Sequence, residues 1–281
     1  MLWQTKHRTF DFSLGGVIMG ILNLTLDSFS DGGRFFNPDA AIAHALQMDA
    51  DGAGIIDIGG ESTRPGAVPV SQAEELARVI PIIEALSGRV KAVISVDTSK
   101  AAVARAAVEA GAGIINDVTA LQGDPAMMQV AAESGAGVIL MHMQGTPRTM
   151  QAAPHYGDVV AEVRDFFRQS AALALRSGID PLRIAFDPGP GFGKTMEHNL
   201  KLLRHLSELC PSELPDRPMV WAVSRKNFLG KLIDDMTLIQ RFWPTVALTS
   251  LGRELGAAVF RVHDVKANRE ALTMTEAILN A

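Results

Sequence analysis

Eight short apolar runs, spaced along nearly the whole chain, constrain its fold more than any other feature. They read VIMGILN (17–23), IIDIG (55–59), VISVD (93–97), IINDV (114–118), VILMH (138–142), IAFDP (184–188), VWAVS (220–224) and VFRVH (259–263). Each is continuous rather than alternating, the pattern of a strand covered on both faces, as in a parallel sheet. Helical stretches lie between them. PDAAIAHALQMDADGA has Pro38 near its start and Gly52 near its end, as helices prefer. SQAEELARVIPIIEALSG opens with Ser71 and has Glu74 three residues on, a capping-box spacing. Strands alternating with helices make an α/β chain, and eight such units predict a closed (β/α)8 barrel, the TIM barrel, in a single domain over residues 1–281. An open doubly wound sheet is the alternative.

Composition narrows the function classes. With 47% hydrophobic and 20% charged residues, the 281-residue chain has the balance of a soluble protein with a sizeable core. A net charge of −5 argues against a nucleic-acid partner, which calls for a basic face. The single cysteine, Cys210, excludes an internal disulfide and a multi-cysteine metal site, and fits a reducing cytoplasm. No apolar run is long enough to span a bilayer, and MLWQTKHRTFDFSLGG lacks a signal-peptide core.

The stretch DPGPGFGKT (187–195) imitates a phosphate loop. A Walker A loop would need glycine at 188, where this chain has proline. Pro188 and Pro190 also remove the backbone N–H groups that such a loop aims at phosphate. The spacing misses the dinucleotide fingerprint as well. The stretch therefore reads as a strand-to-helix turn whose working parts are Asp187 and Phe192, with Lys194 outside the chemistry.

Polar residues gather where the apolar runs stop. Asn23, the ESTR segment, Asp97, Asn116 with Asp117, His142, Asp187, Ser224-Arg225-Lys226, and Arg261 with His263 each stand at or just past the end of a predicted strand. A barrel brings those ends together on the face where its active sites lie. Any one of them has a plainer reading, since a strand-end Asp often caps the next helix. The rim also sorts by charge. Asp97, Asp187 and Asn116 offer acceptors, while Arg64, Lys226, Arg261 and His263 offer donors and positive charge. The pattern predicts a ligand with a donor-rich, amidine-like edge at one end and a multiply charged anion at the other.

MGILNLTLDSFSDGG, DIGGESTRPGA, SVDTSK, INDV, MHMQGTP, DPGPGFGK, SRKNFLG and RVHDV, in this order over about residues 17–270, resemble the dihydropteroate synthases. The resemblance implies a (β/α)8 barrel, a homodimer, and a cytoplasmic enzyme of folate synthesis targeted by sulfonamides. Such an enzyme joins 4-aminobenzoate to 6-hydroxymethyl-7,8-dihydropterin diphosphate, giving 7,8-dihydropteroate and pyrophosphate with Mg²⁺ assisting. By motif, Asp97, Asn116 and Asp187 hold the pterin, with Lys226 reaching it too. Asn23 sits by the metal and the diphosphate, and Arg261 and His263 hold the diphosphate oxygens. Thr63 and Arg64 lie on a loop that helps close the site. Phe192, Ser224 and Lys226 form the aminobenzoate slot. Asp97, Lys226, Arg261 and His263 are the residues closest to the chemistry. A pterin-dependent methyltransferase and a silent pterin-binding paralogue are the rival readings. Leu26, Pro190, Ala222 and the segment Trp243-Pro244-Thr245 depart from the family pattern, and Leu26, Pro190 and Ala222 bear on sulfonamide sensitivity.

Overall fold

The apolar runs become the strands of one parallel sheet. The computed structural model describes residues 1–25, 37–63, 66–237 and 239–281. Among these, a short antiparallel hairpin, β1 (Leu2–Gln4) and β2 (Thr9–Asp11), comes first. It is followed by β3 (Val17–Asn23), β4 (Ile55–Gly59), β5 (Val93–Asp97), β6 (Ile114–Asp117), β7 (Gly137–Met141), β8 (Ile184–Asp187), β9 (Val220–Trp221) and β10 (Val259–Val262). The order is β8-β7-β6-β5-β4-β3-β10-β9, and every neighbouring pair is parallel. The ring closes between β8 and β9 through a single bridge, Phe186 to Met219. There the Phe186 N–H donates to the Pro218 carbonyl at 3.0 Å. The architecture is a (β/α)8 TIM barrel.

The helices are α1 (Pro38–Ala50), α2 (Gln72–Leu86), α3 (Ala101–Ala110), α4 (Met127–Ser134), α5 (Val159–Arg176), α6 (Met196–Arg204), α7 (Asn227–Leu232), α8 (Phe242–Glu254) and α9 (Val265–Leu279). Pro38 stands in the first turn of α1, where its missing N–H has no intrahelical partner to lose. Ser71 caps α2 by accepting from the Glu74 N–H at 3.2 Å. The Glu74 carboxylate does not complete the box and pairs with Arg78 instead.

Strand parity sorts the side chains into two layers. Ile56, Ile58, Ile94, Val96, Ile115 and Phe260 face outward and pack with the helices. The alternate residues Met19, Ile55, Val93, Ile114, Ile139 and Val259 face inward and form the lower filling of the barrel. Trp3, Phe10 and Phe12 of the N-terminal hairpin plug this layer from below. The Trp3 Nε1 donates to the Arg183 carbonyl at 2.8 Å, which satisfies the one polar atom buried with the ring. The bottom of the barrel is thus apolar and sealed, and its chemistry is left to the other end.

Three elements differ from expectation. The hairpin has strands of three residues each, too short to show a period. The seventh barrel strand ends at Trp221 rather than running to residue 224, because the chain turns there: the Lys226 N–H donates to the Val223 carbonyl and Arg225 takes a positive φ of 55°. Helix α7 occupies only six residues, below the length at which a hydrophobic period is readable.

Candidate active site

The same parity that fills the barrel base with apolar groups points polar groups inward near its top. Two residues beyond Ile55, Val93, Ile114, Ala185 and Val259 stand Asp57, Ser95, Asn116, Asp187 and Arg261. Two further on stand Asp97 and His263. Strand register places Asn23 beside Gly59, Gly59 beside Asp97, and Asp97 beside Asn116, so these rim positions form one continuous arc.

Arg261 organises the arc. Its Nε donates to Asp57 Oδ2 at 2.7 Å and its Nη2 to Asp97 Oδ2 at 2.7 Å. The Asn116 amide donates to the same Asp57 oxygen at 3.0 Å, which fixes the amide and leaves its carbonyl oxygen as an acceptor. The expected separation of acids from bases therefore fails at Arg261. Its charge lies among the acids instead of at a separate cationic pole, because two buried carboxylates need a counter-charge there. Burial alone would lower the Arg261 pKa; Asp57 and Asp97 outweigh it and hold it above the ordinary value. Burial lifts the Asp97 pKa to about 7; Arg261 opposes the rise, while Asp57, Asp117 and Glu75 add to it. The Asp187 pKa is raised as well, by burial, against the Gly189 N–H, Lys226 and Arg261.

Sequence reasoning missed Asp57. The only signal was a lone carboxylate inside IIDIG, and parity with Ile55 would have pointed it inward. Two rim residues face the other way. Asp117 accepts from the Thr119 N–H at 2.8 Å and the Leu121 N–H at 3.0 Å, and so shapes the turn after β6. His142 packs edge-on to Phe166 of α5, with ring centres 4.9 Å apart. Arg64 and Leu26 lie outside the described residues.

A second group stands just past the ends of β9 and β10. Ser224 Oγ and His263 Nδ1 are 2.9 Å apart, and Ser224 Oγ also accepts from the His263 N–H at 3.2 Å. Lys226 holds its ammonium 4.2 Å from the centre of the Phe192 ring, a cation–π contact. Phe192 itself is buried with Val118, Met141 and Met150. Arg225 forms a two-pronged ion pair with Asp264, at 3.1 and 2.6 Å, that holds the turn between Ser224 and Lys226. Asp97 lines a cavity of about 350 Å³ together with Thr63, Ala67, Pro69, Val118, Thr119 and Met143.

The glycine-rich loop satisfies itself. The Gly189 N–H donates to Asp187 Oδ1 at 2.7 Å, the Gly191 N–H to Asn199 Oδ1 at 2.7 Å, and the Phe192 N–H to the Gly189 carbonyl at 3.0 Å. Those donors are taken up within the turn and by Asn199 of α6, and do not form a phosphate cradle. Gly189 has a φ of 61°, and a Cβ there would lie 2.1 Å from the His142 carbonyl oxygen, so only glycine fits.

Lys194, read from the sequence as outside the chemistry, lies beneath the glycine-rich loop. It is buried, with Nζ 2.9 Å from His142 Nδ1 and donating to the carbonyls of Phe192 at 2.9 Å and His142 at 3.2 Å. It ties the loop bearing Phe192 to the end of β7. Burial lowers its pKa to about 7, with Asp187 opposing and Lys226 assisting. A depressed folded pKa means the unfolded chain binds more protons between about 7 and the ordinary 10.5, so this group makes stability rise with pH across that window. Lys194→Met is expected to flatten that rise in melts from pH 7 to 10. It is also expected to cost about 1–3 kcal/mol, through the acceptors left unpaired. A melt identical to wild type at every pH would refute the assignment.

The family model for the pterin-binding enzymes matches residues 19–263. The dihydropteroate synthase of Escherichia coli strain K12 is 47% identical over 264 residues, covering 94% of this chain and 92% of that protein. The structure of the Yersinia pestis dihydropteroate synthase with a sulfonamide drug complex matches with a TM-score of 0.93 at 45% identity, covering 100% of both chains. That of the Burkholderia cenocepacia dihydropteroate synthase complexed with 7,8-dihydropteroate matches with a TM-score of 0.90 at 40% identity, covering 99% of this chain and 96% of that one. The chain belongs to the dihydropteroate synthases. The inward arc offers acceptors of one kind. A flat heterocycle with several N–H groups suits two buried carboxylates and an amide oxygen.

Proposed function

We propose that this chain is a folate-synthesis transferase that condenses 6-hydroxymethyl-7,8-dihydropterin diphosphate with 4-aminobenzoate, giving 7,8-dihydropteroate and pyrophosphate. The observation that carries the reading is the set of inward acceptors Asp97, Asn116 and Asp187 on one rim with Lys226, Ser224 and His263, which stand just past the ends of β9 and β10. In this reading Asp97, Asp187 and the Asn116 carbonyl oxygen accept from the pterin N–H groups. Lys226 reaches the pterin beside Phe192, and Phe192, Ser224 and Thr63 border the aminobenzoate slot. Arg261 and His263 face the diphosphate.

The chemistry follows from charge. The C–O bond to the diphosphate breaks, and its electrons leave with the diphosphate. Arg261, His263 and Lys226 stabilise that negative charge where it develops. The methylene carbon left behind is electron-poor, and Asp97 and Asp187 favour the cationic pterin electrostatically. The aromatic amine attacks this carbon, a C–N bond forms, and the amine nitrogen loses a proton. Holding the two substrates in line supplies much of the remaining rate.

The residues present fit Mg²⁺ of a particular kind. Asn23, half-buried at the end of β3, offers one carboxamide oxygen, and among the described residues no group of three His, Cys, Asp or Glu side chains could hold a metal. Such a donor set suits an ion that arrives with phosphate oxygens and keeps several waters. When bound, Mg²⁺ would supply Lewis-acid neutralisation of the leaving oxygens.

Purified protein given both substrates is expected to release pyrophosphate, and to release far less with EDTA. The melting temperature of the substrate-free protein should not move with EDTA, because the metal is held chiefly through the diphosphate. Pterin binding without pyrophosphate release would indicate a silent paralogue; a large EDTA effect on the melt would overturn the single-donor reading of the metal site.

A homodimer of single-domain, cytoplasmic subunits completes the proposal. The mutually packed helices α8 and α9 expose Trp243, Leu251, Met274 and Ile278, apolar surface of the kind that a second subunit covers. Sedimentation at micromolar concentration would test the dimer, and a monomer there would refute it. Among the described residues no helix is long and apolar enough to cross a membrane.

A further inference from the structure

Lys100 lies three residues past Asp97, at the start of α3, and plays no part in the chemistry above. Its ammonium is bonded to two carboxylates from different places in the chain. One is Glu61, just past the end of β4; the other is Glu75, in the first turn of α2, at 2.5 Å. In the chain Glu61 and Glu75 stand on either side of Thr63, Ala67 and Pro69, and all five line the cavity beside Asp97. The start of the same segment is fastened a second time, since Arg78 Nη1 of α2 donates to the Gly60 carbonyl at 2.8 Å. The Glu75 side chain is 1% exposed, and its other oxygen, Oε1, has no hydrogen-bond partner among the described residues. A carboxylate buried this deeply requires its cation.

We propose that Lys100 is a positioning residue: it staples Glu61 and Glu75, on either side of Thr63 in the chain, to the strand end bearing Asp97, and so sets where Thr63 stands at the border of the 4-aminobenzoate slot. The inference rests on the synthase reading for the identity of that substrate. The staple fixes the two points from which Thr63, Ala67 and Pro69 are held relative to Asp97. Substrate alignment depends on such distances at the level of about 1 Å.

The test is steady-state kinetics with each substrate varied in turn, together with melting temperatures, for wild type, Lys100→Met, Lys100→Arg and the double variant Lys100→Met with Glu75→Gln. Lys100→Met is expected to raise KM for 4-aminobenzoate about tenfold, with a markedly smaller change in KM for the pterin diphosphate, and to lower the melting temperature. Lys100→Arg keeps the charge and should return KM to within about threefold of wild type. In the double variant no buried carboxylate is left unpaired, so the melting temperature should recover while KM stays raised. Recovery of KM together with the melting temperature would reduce Lys100 to a purely stabilising residue and overturn the proposal. An unchanged KM in Lys100→Met would do the same. Absence of turnover in wild type would refute the synthase reading itself, whereas normal turnover with unmoved KM values refutes only the role of Lys100.

Discussion

Arg261→Met is expected to damage both stability and turnover more than any other single change at the site. Arg261 is the cation against which two acids are buried: Asp57 is fully buried and the Asp97 side chain is 11% exposed. Removing one partner of such a cluster leaves uncompensated charge, which costs about 3–5 kcal/mol. For a chain of this size that is a fall in melting temperature on the order of 10 °C. The pH dependence gives the cause away. Without Arg261 the folded-state pKa of Asp97, already raised to about 7, has lost the charge that opposed the rise. A raised carboxylate pKa means that the folded protein binds more protons than the unfolded one above pH 4, so stability falls as pH rises through that range. The variant should therefore lie much closer to wild type at pH 5 than at pH 8. Turnover should fall about 10²- to 10³-fold at pH 8, since in the proposed mechanism the same guanidinium stabilises the leaving diphosphate. Calorimetry at the two pH values checks the first part; equal destabilisation at both would mean that the acids do not depend on Arg261. Asp57→Asn in the same chain should return part of the lost stability, because one of the stranded charges is gone.

The barrel was legible in the sequence because its strands are covered on both faces, and a doubly covered strand cannot hide its apolar run. Seven of the eight predicted runs agree with the observed strands to within one residue at either end. The exception, β9, ends early because the turn of Ser224-Arg225-Lys226 bends the chain away from the ladder. The rim was legible for the converse reason: polar groups interrupt the apolar runs where the strands leave the packed interior of the barrel. What the runs did not reveal is direction. Asp97 and Asp117 both stand at strand ends, yet one faces the cavity and the other ties the next turn. Counting by twos from Ile114 separates Asn116 from Asp117, and the same count recovers Asp57 from Ile55. Pairing was beyond reach, because it depends on side chains far apart in sequence. That Arg261 would choose Asp57 and Asp97, or that Lys194 would fold under its own loop onto His142, follows from which charges share a dry space.

Asp97→Asn is expected to keep the fold and lose the pterin. The asparagine is nearly isosteric, can still accept from Arg261 Nη2, and removes a carboxylate that burial already disfavours. Stability should therefore change by less than about 1 kcal/mol. A charge-assisted hydrogen bond to a ligand is worth about 1.5–3 kcal/mol, so affinity for the pterin diphosphate should fall about 10- to 100-fold. The raised pKa of Asp97, about 7, adds a second signature. Only the ionised carboxylate accepts from a pterin N–H at full strength, and it is present above that pKa and lost as pH falls through it. In wild type, kcat/KM for the pterin diphosphate should therefore decline on the acid side with a midpoint near 7; in the variant that limb should be missing, because residue 97 no longer titrates. A midpoint near the ordinary carboxylate value in wild type would show that the neighbouring acids and burial do not act on Asp97 as the geometry requires. Undiminished pterin affinity in Asp97→Asn at pH 8, measured by calorimetric titration, would remove Asp97 from the binding arc and leave Asp187 and Asn116 to carry recognition alone.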